Sequence, residues 1–403
     1  MVAGVLRLAA SGGRFVLAIG LARYLSVTEL AEVGAVQSIV VIGSKLLGFG
    51  MGVVTGRRLA AVDQGDIPVL VRGQVRLLLR QYAGLAVLAP LAPMLLAPST
   101  STVLVWSALI LVPTHLAVEL YHGLIFRQQV ATAIFVLATV NGLWAWPVVA
   151  LAALAAARSV ETVYICWLAG SLLAALAALR ASGAFAPAAP GAVNRRPSLS
   201  TDRACWAVYV GQLALFTMPF GDRLVLSLVL PSEQVGQFVL FWSFGYGVQT
   251  ITQGFVASSL TAPLARAGHD ADRQVFQRLL LLALASTAFT SACGLTIVFV
   301  LWASFGETML GAAARLPPCY LICLFTGFWL RSLGDVLHIA LVVRHADREL
   351  ATCYAWATAP ALLLAGLAGQ ELGAPGAYLA VLGSSVLTLA LLARSLRAAW
   401  RCC

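Results

Sequence analysis

Runs of apolar residues long enough to cross a lipid bilayer recur along the whole of this 403-residue chain. A membrane helix needs roughly 20 such residues, at 1.5 Å rise each, to span a hydrocarbon core about 30 Å thick. A chain built this way has lipid for its solvent. Its composition agrees, with 61% hydrophobic and only 10% charged residues, where a soluble domain carries about 25% charged. The first run begins near Met1 and continues to Tyr24 with no small-residue cleavage site before a polar stretch, so it reads as a retained helix.

The pattern predicts an all-α polytopic membrane protein of about twelve transmembrane helices in two sets. The first set is expected over residues 4–25, 31–55, 75–96, 102–126, 131–156 and 160–180. The second is expected over 204–230, 235–260, 277–304, 313–343, 349–369 and 373–394. Between them the Ala-, Pro-, Gly- and Ser-rich segment 181–203, with Arg195 and Arg196, reads as a flexible linker between a lobe of residues 1–180 and a lobe of residues 204–403.

The net charge of +10 would suit a nucleic-acid surface only if it were gathered in one place. Instead the arginines fall in short segments between apolar runs. Arg57, Arg58, Arg72, Arg76, Arg80, Arg127, Arg195, Arg196, Arg203, Arg266, Arg273, Arg278, Arg344, Arg348, Arg394, Arg397 and Arg401 share one side of a twelve-span topology, and Arg23 and Arg158 lie opposite. Basic loops stay in the cytoplasm, so both termini and the linker are expected there. Cys166, Cys205, Cys293, Cys319, Cys323 and Cys353 sit in apolar runs and show no metal or redox spacing.

A weak internal repeat supports two lobes. The first has Arg23, Ser26, Glu29 and Val33-Gly34 where its second helix opens; the other has Arg223, Ser232, Glu233 and Val235-Gly236. Six spans per half give both copies the same orientation, hence parallel lobes expected to enclose a central cavity.

These residues also resemble a known family. Leu21-Ala22-Arg23-Tyr24-Leu25-Ser26 with Val33-Gly34, and Asp222-Arg223-Leu224-Val225-Leu226 with Val235-Gly236-Gln237-Phe238, are similar to the Wzx-type polysaccharide-unit flippases of the multidrug/oligosaccharidyl-lipid/polysaccharide (MOP) exporter superfamily. The likeness covers essentially the full chain and rests on the layout as much as on the short motifs. It implies an alternating-access translocator of undecaprenyl-diphosphate-linked oligosaccharide in a bacterial inner membrane, serving O-antigen or exopolysaccharide synthesis without nucleotide hydrolysis. Its implied partners are membrane lipids, a polysaccharide polymerase and glycosyltransferases.

Charges inside the spans are the sharper clue. Arg14, Lys45, Glu119, Asp222, Arg223, Arg331 and Asp335 all fall within apolar segments, where each charge facing lipid costs about 2.5–3.5 kcal/mol. A wet cavity would relieve that cost, and cations there suit a diphosphate, whose oxygens match the arginine fork. Arg14, Lys45, Arg223 and Arg331 are therefore expected to meet substrate, although Arg331 and Asp335, at i and i+4, equally fit a structural ion pair. His115, Glu119 and His122 share one face of the fourth helix. With Asp222 and Asp335 they form the expected coupling or structural polar set. No metal or cofactor is expected, since three ligands from one helix close a metal site poorly; coupling to a proton or sodium stays open. Ser11-Gly12-Gly13 and Pro219-Phe220-Gly221 precede Arg14 and Asp222, so the first helix of each lobe is expected to bend there.

Rival functions remain. A membrane-embedded glycosyltransferase or ligase would use the same lipid-linked sugars, but the outward loops are short and hold little beyond Arg23, Glu29, Glu32, Arg158, Glu161, Glu307 and Glu371. A drug-cation antiporter of the same superfamily would favour an acidic pocket, and the first helix offers Arg7 and Arg14 without a carboxylate. No Walker-type glycine loop for an ATP-driven pump is present.

Overall fold

The computed structural model describes residues 2–48, 55, 67–88, 98–126, 128–154, 159–184, 203–269, 273–310, 315–344 and 346–401. Most of the expected linker, 185–202, and the side chains of Arg14 and His122 lie outside the described residues. Among those described the chain is helical, with one π turn and no strand. The helices are α1 (Val2–Tyr24), α2 (Val27–Gly48), α3 (Ile67–Leu88), α4 (Pro98–Phe126), α5 (Val130–Ala138), α6 (Ala145–Ala153) and α7 (Val160–Ser182). They continue as α8 (Arg203–Val229), α9 (Ser232–His269), α10 (Arg273–Leu310), α11 (Pro318–Val343), α12 (Asp347–Leu372) and α13 (Ala374–Arg401). Counting the broken pair α5 and α6 as one pass, this is the twelve-helix layout. Among the described residues eight helices are long and apolar enough to cross a membrane, and the pair α5–α6, bent by 43°, makes a ninth if it is one span.

α9, α10 and α13 run past their expected ends, to His269, Leu310 and Arg401, and two further departures lie in the first unit. The third helix begins at Ile67 rather than near 75, because Arg72, Arg76 and Arg80 are helical residues on one face at i, i+4 and i+8. The fifth span is not continuous: a π turn over Thr139–Leu143, with Gly142 at φ 158° and ψ −1°, separates α5 from α6. Both α1 and α8 run through the positions where a bend was expected, Ser11-Gly12-Gly13 and Pro219, as continuous helices. Gly13 has a packing task instead. A β carbon there would lie 2.5 Å from the Gly142 carbonyl oxygen and 3.1 Å from Nε1 of Trp146. The Trp146 indole donates to the Ala9 carbonyl at 3.0 Å, which seats α1 on the broken span.

The chain divides into two compact units. One comprises residues 1–17 and 35–209; the other comprises 18–34 and 210–403. The first packs Val71, Leu78, Leu120, Leu124, Val136 and Ala178 from α3, α4, α5 and α7 into one core. The second gathers Leu264, Phe276, Leu337, Leu341, Tyr354 and Leu392 from α9 to α13. Large apolar side chains also cover the outside. Leu176 on α7, Leu228 on α8, Phe289 on α10 and Trp356 on α12 are exposed, as expected where lipid rather than water lies against the helices.

The repeat residues have a physical task inside the second unit. Ser26 and Glu29 open α2 as a capping box: the Ser26 backbone N–H donates to Glu29 Oε2 at 2.7 Å and the Glu29 N–H donates to Ser26 Oγ at 3.3 Å. In the second copy the Pro231 carbonyl takes the first donors of α9, from Gln234 at 2.9 Å and Val235 at 3.1 Å. The paired Val-Gly motifs bring these two helices together. A β carbon on Gly34 would stand 2.5 Å from Cγ2 of Val239, and one on Gly236 would collide with the backbone carbonyl of Val27.

Candidate functional site

Each unit holds its own buried polar cluster, and the intramembrane charges whose side chains are described, Lys45, Glu119, Asp222, Arg223, Arg331 and Asp335, fall into these two groups.

In the first unit the cluster is built by α2, α3 and α4. Pro113 and the apolar residues around it make α4 a deeply buried helix, and it carries His115, 1% exposed, and Glu119, 8% exposed, on one face. Nε2 of His115 lies 3.6 Å from Oε1 of Glu119, beyond hydrogen-bond length, and it has no hydrogen-bond partner among the described residues. On the ring's other side Nδ1 and the Tyr82 hydroxyl are 2.8 Å apart. From α3 the Gln74 amide donates to Oε2 of Glu119 at 3.3 Å and to its backbone carbonyl at 3.1 Å. Lys45 on α2 completes the group, its charge acting on that of Glu119. One turn further along α2, a β carbon on Gly48 would sit 3.0 Å from Oε1 of Glu119 and 3.4 Å from Nε2 of His115. The Lys45 face of α2 therefore lies against the His–Glu pair.

The second unit builds its cluster from α8, α9, α11 and α13. Arg223, 1% exposed, places its guanidinium carbon 3.5 Å from the centre of the Trp242 ring and 5.2 Å from that of Phe220, a cation–π arrangement. Trp242 in turn stacks on Tyr246 with centroids 4.7 Å apart and meets Phe328 edge-on at 5.4 Å. Beside this cage Asp222 is buried, and its Oδ1 accepts the Arg223 backbone N–H at 2.7 Å. Aromatic faces offset part of the desolvation of Arg223.

The Arg331–Asp335 spacing does not translate into a direct pair in α11. Arg331 Nε donates to Ser385 Oγ at 3.1 Å and NH2 donates to Ser384 Oγ at 3.3 Å, both on α13. Asp335 accepts instead from the Gln249 amide of α9 at 2.8 Å. The two charges still act on one another, and Asp222 acts on Arg331 as well, so the second unit holds a four-charge network in place of the simple ion pair that the spacing suggests. Packing decides this: α13 lies along α11 and supplies two adjacent hydroxyls where the guanidinium ends.

Sequence reasoning missed Tyr82, Gln74, Gly48, Gln249, Ser384 and Ser385. Gln74 lies just before the expected start of the third helix and Tyr82 inside it, neither carrying a charge to mark it, and tandem serines in an apolar run were the signal that would have marked α13.

No protein-family model matches the chain, and no curated protein matches its sequence. Its fold does match solved structures along essentially its whole length. An inward-facing multidrug-resistance MATE family transporter of the MOP superfamily superposes with a TM-score of 0.70 at 14% identity, covering 99% of both chains. The lipid II flippase MurJ, in an inward closed conformation, gives 0.74 at 13% identity, over 98% of this chain and 87% of that one. The Vibrio cholerae MATE transporter VcmN in its bent form gives 0.54 at 12% identity, over 99% of each. The chain has the fold of these MOP-superfamily proteins.

Proposed function

We propose that this protein is a membrane transporter rather than an enzyme, and specifically an alternating-access flippase. Its cargo in this reading is undecaprenyl-diphosphate-linked oligosaccharide, carried from the cytoplasmic to the periplasmic leaflet for polysaccharide synthesis. The observation that carries the reading is Lys45, a cation in the last turn of α2 whose charge acts on that of Glu119 in the first unit's polar cluster. Such a residue is costly unless it has an anion to meet. A lipid tail stays in the bilayer during flipping while the charged head does not, because transferring an ion to a low-dielectric medium costs up to about 20 kcal/mol in idealised estimates. A polar, cationic path removes most of that barrier. The inside-negative potential adds about 2.3 kcal/mol per charge per 100 mV for an outgoing anion.

Arg14, Lys45, Arg223 and Arg331 remain the proposed contacts to the diphosphate. Arg223 and Arg331 reach an anion only if Trp242 and the Ser384–Ser385 pair yield, so Arg14 and Lys45 are the first to test. Neutralising either removes a charge-assisted contact worth about 1.5–3 kcal/mol, roughly ten- to hundredfold in binding. The assay is outward delivery of lipid-linked oligosaccharide in cells, normalised to folded protein. Full delivery by both Arg14→Ala and Lys45→Ala proteins refutes the reading. An orientation with both termini and the linker in the cytoplasm is part of it, and reporter fusions at Pro190, Asp270 and His345 should all report cytoplasm.

The buried carboxylates Glu119 and Asp222 and the half-buried Asp335, together with the MATE likeness, favour one other reading, a drug-cation antiporter. Extrusion of a cationic dye by vesicles containing the purified protein would select it over the flippase.

A further inference from the structure

The first unit's cluster is wired in a way that the transport reading does not require. Tyr82, His115 and Glu119 form a buried line across α3 and α4, and only the last step is open: Nε2 of His115 and Oε1 of Glu119 are 3.6 Å apart with no hydrogen bond between them. The Tyr82–His115 contact fits either direction of donation; where Nδ1 carries the ring proton and donates to the Tyr82 hydroxyl, the Nε2 lone pair faces a carboxylate. One added proton turns that contact into a charge-assisted hydrogen bond. The same carboxylate holds Lys45 electrostatically, and the Gly48 gap brings α2 directly against Oε1.

His122 shares this face of α4, and its side chain lies outside the described residues; among the described side chains, the polar groups on the packed helices are engaged as follows. On α3 Gln74 is neutral and spends its amide on Glu119, and Arg72 turns away to donate to the Ala184 carbonyl at 3.1 Å. Between α7 and α4 the Ser171 and Thr114 hydroxyls are 2.9 Å apart and occupy one another. From α5 the packing residues are Ala133 and Val136, both apolar.

We infer that the Glu119–His115 pair is a proton site that competes with anionic substrate for Lys45, so that binding a diphosphate in the first unit takes up one proton. The ionised carboxylate keeps Lys45 engaged with Glu119. Protonation of the pair removes that claim, and the ammonium turns to the incoming phosphate oxygens; no bond other than the one to the proton is made or broken. The inference rests on the proposal that Lys45 meets the diphosphate.

The test uses the purified full-length protein in detergent and farnesyl diphosphate as the probe. Calorimetric titration in two buffers of different ionisation enthalpy gives the number of protons taken up on binding. Uptake approaching about one proton is expected, with affinity rising by up to about tenfold per unit fall in pH, the limit for a single linked proton. Glu119→Gln keeps the shape and the Gln74 contact; it should bind the probe with little pH dependence and lose the proton uptake. Uptake by Glu119→Gln equal to that of the unmodified protein overturns the inference. Should that variant fail to fold, the unmodified protein decides alone: binding with no net proton uptake overturns the linkage. A probe that does not bind at any pH overturns the diphosphate reading of Lys45 itself, a separate failure.

Discussion

Gly236 provides a sharp test of the packing. A β carbon at this position would collide with the backbone carbonyl of Val27 and stand 2.8 Å from its Cγ1. Backbone cannot rotate aside as a side chain can, so Gly236→Ala must push α9 away from the start of α2. Overpacking of that kind costs about 1–3 kcal/mol. The same substitution gains about 0.5–1 kcal/mol of helix propensity at any helical site. Gly254, on the same helix with nothing within 4 Å of its would-be β carbon, receives the gain without the cost. The two alanine variants should therefore differ by the overpacking alone, about 1–3 kcal/mol, with Gly236→Ala below the unmodified protein and Gly254→Ala at or above it. Thermal unfolding of the purified proteins in one detergent reads this directly. Equal midpoints for the two variants would refute the close approach of α2 and α9 at the repeat motif.

Arg331→Ala should lower the amount of folded protein strongly, by about 3–5 kcal/mol in stability, since it leaves buried carboxylates uncompensated; adding Asp335→Asn should restore only part of it, because Asp222 also acts on Arg331. The measurement is membrane abundance of the single and double variants. Trp146→Phe removes the hydrogen bond to the Ala9 carbonyl and should cost about 0.5–1.5 kcal/mol in thermal unfolding, while Trp356→Phe, on an exposed face, should cost little. Ser26→Ala breaks the capping box and should lose about 1 kcal/mol, read by the same unfolding assay.

The sequence by itself determined the helical class, the number of helices and most of their ends, because a span must be apolar for a fixed length and a bilayer leaves no other way to satisfy the backbone. It also marked Lys45, Glu119, Asp222, Arg223, Arg331 and Asp335, since a charge in an apolar run stands out without any structure. Their partners were decided by tertiary packing. Arg331 and Asp335 have ideal spacing along α11, yet each is held by a different helix, Arg331 by Ser384 and Ser385 of α13 and Asp335 by Gln249 of α9. Breaks behaved in the same way. Pro219 and the Gly12-Gly13 pair lie within continuous helices, and the break formed at Gly142, where α1 approaches closely enough to need Gly13. Periodicity and hydropathy are local quantities, whereas the pairing of buried charges and the placing of a break depend on which helices meet.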